Sequence, residues 1–143
     1  MSTSKVLRKE KFKCRTVLVR TKLERINVGD EKDHFVAVGE GKGLISNMEG
    51  KTFGEGWVAW GGYIVDFSPK TVSDNGYGTM TDKDGHKIFW KYERMPNAVY
   101  QWTFFKGTGK FEGVKGKGTS SWVRTVDQEV SIANWEGEVE LPR

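Results

Sequence analysis

Two stretches of the chain bring together side chains able to do acid–base or metal chemistry. In "GDEKDH", Asp30, Asp33 and His34 stand close together. An imidazole beside carboxylates is the raw material of a general base or of a metal site. A metal asks for about three or four ligands, and the second histidine, His86, is distant in the chain. Asp30 and Asp33 are therefore read as turn residues, and His34 as a polar group or general base pointing into a barrel mouth. His86 follows the Asp84-Gly85 turn and is read as an exposed residue at a strand start. Asp66 ends the aromatic-rich run "WVAWGGYIVDF". A carboxylate held in apolar surroundings has a raised pKa and can serve as acid or base; at a strand end it can equally face water. His34 and Asp66 are the candidate catalytic residues, and neither a metal nor a cofactor is expected. The single cysteine, Cys14, excludes an intrachain disulfide and any multi-cysteine metal site. It lies in a basic stretch and is read as incidental. No G-x-S-x-G elbow of a serine hydrolase occurs.

The run "FKGTGKFEGVKGKGTSSW", Phe105–Trp122, poses a different question. Its five glycines and four lysines with one acid could cradle a phosphate or could turn a corner. A phosphate loop needs G-x-x-x-x-G-K-[ST] between a strand and a helix. From Gly107 the chain runs G-T-G-K-F-E-G with no Gly-Lys-Ser/Thr at the right place, and "TSSWVRTV" after Gly118 has a strand pattern. The dinucleotide spacing G-x-G-x-x-G fails because the third glycine comes one residue late. The run is read as a strand, a turn around Phe111-Glu112-Gly113, and the next strand, with Phe111 plugging a barrel end.

The elements that must position these residues are strands. The 143 residues make one domain's worth of chain, long enough to bury a core. Six Trp, eight Phe and four Tyr with 18 glycines favour short strands and tight turns. In "RTVLVRTKLERINVGD", Val17, Val19, Thr21 and Leu23 share one face and Arg20, Lys22 and Glu24 the other, the pattern of a half-buried strand with its valines inward. Gly61-Gly62 suggests a bulge or a close approach by chain or ligand. Asp84-Gly85 marks a hairpin, followed by Ile88, Trp90 and Tyr92 on one face. Tyr100, Trp102 and Phe104 share a face, and Glu136, Glu138 and Glu140 oppose Trp135, Gly137 and Val139. About eight strands at even spacing, with no long helix, point to an all-β, single-domain, eight-stranded antiparallel barrel, lipocalin-like in plan, spanning 1–143 with residues 1–11 read as a flexible basic arm. A sandwich is the competing architecture.

"GTGKFEGVKGKGT" resembles the loop before the last strands of the allene oxide cyclase-like small barrels, a calycin-like group that includes bacterial barrel proteins of unknown role. The matching positions are Gly107, Gly109, Phe111, Gly113 and Gly116, and "NVGDEKDHFVAVGEGKG" is similar, more weakly, to the early strands of the same group. The resemblance implies the barrel fold. It matches none of the plant cyclase's active-site positions onto this chain.

The net charge of +4, with both signs interspersed, speaks against a nucleic-acid partner. No run approaches the ~18 apolar residues of a membrane span, and no apolar signal region opens the chain, so a soluble, cytoplasmic protein is expected. The aromatics Trp57, Trp60, Tyr63, Trp90, Tyr92, Tyr100, Trp102, Trp122 and Trp135 must supply core, and some can line a lumen with room for one ligand. Trp60, Trp90, Tyr92 and Trp102 are the candidate ligand-binding residues. The expected function is binding of a small apolar or aromatic molecule in the barrel. The alternative is a cofactor-independent isomerase or cyclase acting on a small hydrophobic substrate with one acid–base side chain. A homo-oligomer is a further expectation.

Overall fold

Alternation of side chains along extended segments, broken by glycine and aspartate turns, produces eight strands in the computed structural model, which describes residues 7–126 and 129–142. They are β1 (Leu7–Asn27), β2 (Phe35–Glu49), β3 (Val58–Phe67), β4 (Val72–Thr81), β5 (Lys87–Arg94), β6 (Tyr100–Gly107), β7 (Lys115–Val126) and β8 (Val130–Pro142). Each pairs antiparallel with its sequence neighbour, and β8 returns to β1, closing an all-β barrel. Closure leaves no free edge for another strand to join. Residues 7–11, read from the sequence as part of an arm, begin β1 and pair with β8, from Leu7 opposite Pro142 to Lys11 opposite Glu138. β8 accompanies β1 only to Val19, whereas β2 follows it to Asn27. One wall of the barrel thus stands taller than the other.

The register shows which side chains face inward. On β1 these are Phe12, Cys14, Thr16 and Leu18, with Arg20 half-buried on the same face, while Val17 and Val19 are exposed. The valine face expected to be buried is therefore the outer one. The alternating pattern is present, but its apolar phase points to water.

Glycine and aromatic residues alternate roles across the interior. Trp90 lies opposite Gly78, Tyr92 opposite Gly76, Trp102 opposite Gly118 and Phe104 opposite Gly116. A Cβ at Gly78 would sit 2.1 Å from Trp90 and one at Gly118 2.5 Å from Trp102. A large ring over a bare backbone fills an eight-stranded lumen without splaying its walls. The Gly61-Gly62 pair is explained likewise. The β3 register runs through it without a shift, and the Trp90 ring edge rests on Gly61.

One end of the barrel is sealed. Phe12, Phe53, Trp57, Phe104 and Phe111 are all buried there, with ring centroids 4.6 Å apart for Phe12–Phe53, 5.1 Å for Phe53–Trp57 and 5.2 Å for Trp57–Phe111. Each such side chain contributes about 1.5–3 kcal/mol on burial. The glycine-lysine run supplies part of the seal. A single 3-10 turn, Gly109–Phe111, places Phe111 as the plug, and Lys110 reaches Asp82 (2.6 Å) and Asp84 (3.2 Å) in the β4–β5 turn. Asp82 also accepts the backbone N–H groups of Asp84 and His86. Burial pushes the Asp82 carboxyl up, but Lys110 and these two donors outweigh it and hold it below the ordinary range. His86 is half-buried rather than exposed, with Nδ1 accepting from the Lys110 N–H at 3.1 Å.

Candidate functional site

Above the seal the lumen is not filled. A cavity of about 170 Å³ lies among Met80, Trp90, Trp102, Phe104 and Trp135 and opens at the far end past Tyr63, Tyr92 and Tyr100. A dry cavity of roughly 150 Å³ is enough for a benzene-sized molecule. Of the three indoles that line it, two spend their N–H groups internally. Trp135 donates to Thr16 Oγ1 at 2.7 Å and Trp102 to the Thr119 carbonyl at 3.1 Å. The deep walls therefore present ring faces and aliphatic surface, and polarity is confined to the mouth, where the three tyrosines, Ser120, Ser131 and Arg20 gather.

Behind two of the mouth tyrosines sits a carboxylate. β4 carries Asp74 inward, β5 carries Tyr92 and β6 carries Tyr100. The Tyr92 hydroxyl donates to Asp74 Oδ1 at 2.8 Å and the Tyr100 hydroxyl to Oδ2 at 3.0 Å. Arg94 is close enough to act on the same charge and donates to the Val72 carbonyl at 3.2 Å. Burial raises the Asp74 carboxyl above its ordinary value, with the two phenols and Arg94 pulling the other way. Burial, together with the neighbouring Asp74 charge, raises the Tyr92 phenol. A carboxyl that is costly to ionise, joined through a phenol to an apolar chamber, can store and return a proton.

Of the residues singled out from sequence, Trp90, Tyr92 and Trp102 line this cavity. Trp60 does not. It is 50% exposed on the outer face, because Ala59 and Gly61 hold the inward positions of β3. The Trp122 side chain lies outside the described residues. His34 and Asp66 are brought together, but away from the lumen. Asp66 shares the outer phase of β3 with Trp60, and its Oδ1 accepts from His34 Nε2 at 2.7 Å, while Glu31 meets His34 Nδ1 at 2.5 Å. The hydrogen bond to Glu31 and then that to Asp66 raise the His34 pKa. The trio ties the β1–β2 turn, where Asp33 adopts φ 59°, to the end of β3. Neither His34 nor Asp66 lines the cavity; the expectation that they act inside the barrel is corrected by strand phase.

Asp74 and Tyr100 were not singled out as site residues. "VSDNGYG" offers no periodic apolar signal around the aspartate, and only the pairing of β4 with β5 and β5 with β6 brings the acid to the two phenols. Cys14 is fully buried, and burial pushes its thiol up to about 12, so it is inert. A second, larger depression of about 430 Å³ lies on the outer side of the seal, lined by Arg8, Thr52, Asp82 and Lys110. Its buried acid, Asp82, is already matched to Lys110, and its walls are mixed, with Trp57, Phe111 and Leu141 beside the charges. Among the described residues no group of three His, Cys, Asp or Glu is placed to hold a metal, and no helix is long and apolar enough to cross a membrane.

No family model and no curated protein matches the chain in sequence. Its fold is similar to solved structures of small eight-stranded barrels. One pterocarpan synthase dirigent protein superposes with a TM-score of 0.65 at 14% identity, over 100% of this chain and 98% of its own. A second does so at 0.58 and 14%, over 99% of each. A pyocyanin demethylase gives 0.55 and 16%, over 88% of this chain and 97% of its own. At these identities the likeness establishes the barrel and not the activity.

Proposed function

We propose that the barrel binds a small apolar or aromatic molecule, with a ring-sized apolar part in the chamber and a polar part at the mouth. The observation that carries this is the cavity itself, walled by Trp90, Trp102, Trp135 and Met80 and polar only at the rim. Such a form, apolar with a few convergent polar groups, is the usual one for small-molecule sites. The barrels it resembles include proteins named for synthesis of a pterocarpan and demethylation of pyocyanin, so this architecture is used on small molecules elsewhere. Kinship with the allene oxide cyclase-like barrels, suggested by the Gly107–Gly116 turn, belongs to the same reading. No cofactor, membrane or nucleic-acid partner enters into it.

A second reading, a cofactor-independent isomerase or cyclase, is favoured by one observation. The acid–base group missing from the lumen at His34 and Asp66 is supplied by Asp74 and Tyr92. Confinement of a substrate beside one proton donor is enough for such chemistry.

The test is native mass spectrometry of the purified protein, followed by tryptophan fluorescence titration with a panel of one- and two-ring aromatics. A co-purifying molecule, or saturable quenching that Trp90→Phe weakens while circular dichroism stays unchanged, supports the cavity. An empty protein whose fluorescence no panel member alters removes the reading. If binding holds, turnover in Asp74→Asn separates enzyme from binder.

A further inference from the structure

We infer that the Asp74–Tyr92 pair sets the hydrogen-bond polarity of the cavity mouth, so that the site selects a ligand bearing a hydroxyl or N–H donor when Asp74 is ionised. This rests on the ligand-binding reading above. A phenol has one proton to give and lone pairs to accept with. Tyr92 gives its proton to Asp74 Oδ1 at 2.8 Å, and Tyr100 gives its own to Oδ2 at 3.0 Å. Tyr92 lines the cavity, so what its oxygen shows the ligand is an acceptor. A bound donor is satisfied there, whereas a ligand bearing only an acceptor faces lone pairs with no proton between them. When Asp74 takes a proton from solvent it becomes a donor itself, the Tyr92 O–H is released to turn toward the chamber, and the preference relaxes. The charged and titratable groups facing the pair are Tyr92 and Arg94 from β5, Tyr100 from β6 and Tyr63 from β3, with Arg20 of β1 and Glu40 of β2 at the same mouth. Asp74 and Glu40 are the carboxyls of this set, and Asp74→Asn tells their titrations apart.

The probes are phenol, which can donate, and anisole, its methyl ether, which cannot. Their affinities are measured by fluorescence titration from acid to neutral pH on the wild-type chain, Asp74→Asn and Tyr92→Phe, each checked by circular dichroism. At neutral pH phenol is expected to bind roughly 3- to 10-fold more tightly than anisole, the worth of one hydrogen bond. The ratio falls as pH drops through the Asp74 titration, and both variants lose that pH dependence. A ratio that does not change with pH in the wild type, or a change that persists in Asp74→Asn, overturns the inference while leaving the cavity intact. Failure of both probes to bind at any pH removes the cavity reading and this one with it.

A separate observation, on the outer surface, carries a second proposal. The barrel has two unlike sides. Across β7, β8 and β1 the outward positions alternate in charge. Lys9 pairs with Glu140 at 3.4 Å and Lys13 with Glu136 at 3.8 Å, and Lys117 stands opposite Glu138. Across β1 to β6 several outward positions are apolar: Val17, Leu44 and Val58 in one row, then Trp60, Tyr77 and Phe105, and, past Lys42, Val38 opposite Ile64. Tyr77 and Phe105 meet edge to face at 6.1 Å. These side chains are 37% to 66% exposed, and together they offer on the order of 600 Å² of apolar surface. A stable pair buries about 800 Å² per partner, of which about two thirds is apolar, so the patch is the size that one subunit contributes.

We propose that this face is covered by further copies of the chain. Charges of both signs stand among these side chains, Lys42 on β2 opposite Trp60, and Lys91, opposite Tyr77, with Glu93 on β5, as a self-complementary contact requires and an anionic lipid surface does not. The test is light scattering on a sizing column, with native mass spectrometry, over a wide concentration range. The wild type is expected at a multiple of 16.2 kDa. Trp60→Glu and Leu44→Glu are expected to fall to the single-chain mass with unchanged circular dichroism, and Ser121→Glu on the charged side to stay assembled. A single-chain mass for the wild type at every concentration, or assembly that survives both substitutions, overturns it, as does a wild type that is monomeric until lipid vesicles capture it.

Discussion

Alanine at Gly78 would put a methyl carbon where the Trp90 indole already lies. An ideal Cβ there falls 2.1 Å from Trp90 Cζ2, 2.5 Å from Cε2 and 2.6 Å from the Trp60 carbonyl oxygen. The ring can tilt, but the carbonyl belongs to the paired strand and cannot. Retreat across the sheet is blocked too, because the same ring rests on Gly61, whose own Cβ would meet Cη2 at 2.8 Å. Overpacking of a fitted interior costs about 1–3 kcal/mol, and two blocked directions place Gly78→Ala in the upper half of that range. For a chain of 143 residues that corresponds to a fall in Tm of roughly 6–12 °C. The assay is thermal unfolding of the wild type, Gly78→Ala, Trp90→Leu and the double variant. Leu at 90 removes the part of the penalty due to the indole and leaves the part due to the carbonyl, so the cycle shows a coupling of about 1–2 kcal/mol. A Gly78→Ala protein as stable as wild type, or one penalised equally in both backgrounds, would refute the claim that inward glycines exist here to seat aromatic rings.

Three further outcomes follow from the titrating groups. The Asp74 carboxyl is raised by burial, so the folded state holds its proton longer than the unfolded one. Wild-type stability relative to Asp74→Asn should therefore fall as pH rises from about 3.8 through the folded value, read as parallel denaturant series. His34 is raised by Glu31 and Asp66. Its contribution is present in full below about 6.5 and is lost as pH rises through the folded pKa, so His34→Gln should lower stability most below about 6.5 and flatten the profile above it. Cys14, buried with its thiol pushed up to about 12, should resist alkylation by iodoacetamide at neutral pH until the protein unfolds; rapid labelling under native conditions would contradict the inward placement of that β1 phase.

How much of this was legible in the chain depends on which physical rule each element obeys. Strands and turns were, because alternation and Asp-Gly or Gly-Asp breaks are local. The hairpin at Asp84-Gly85, the face shared by Tyr100, Trp102 and Phe104, and the glutamates opposing Trp135 and Val139 all stand as read. Phase failed where it was inferred from hydrophobicity alone. On β1 the valines point outward and Arg20 inward, and on β3 Trp60 points outward while Gly61 lines the lumen. Both errors have one cause. The rule that apolar residues turn inward presumes a polar outer face, and on these strands the exposed face carries Val17, Val19 and Trp60. The clue was available in the glycines, since an inward Gly across from a tryptophan fixes the phase of both strands whatever the hydrophobicity of the outer face.

That cause bears on function. Had the outer face of β1 to β6 been polar, hydrophobic phase would have placed Trp60 inside and the lumen would have had one more ring to accommodate. The interior has no such room. Trp90 already covers Gly61 and Gly78 together, and the chamber left beside it measures only about 170 Å³. The chain therefore spends aromatic residues on two separate tasks. Trp90, Tyr92, Trp102 and Phe104, each with a glycine opposite, wall a ring-sized chamber at whose polar mouth Asp74 stands behind Tyr92 and Tyr100. Trp60, which stands opposite Lys42 and Thr79 rather than a glycine, lies outside, on the side of the barrel that lacks the Lys–Glu ladder. Losing an outer ring should change assembly and leave ligand affinity unaltered, and losing an inner ring should do the reverse. Trp60→Glu and Trp90→Phe, measured side by side for mass and for fluorescence quenching, are the pair on which this division of labour stands or falls.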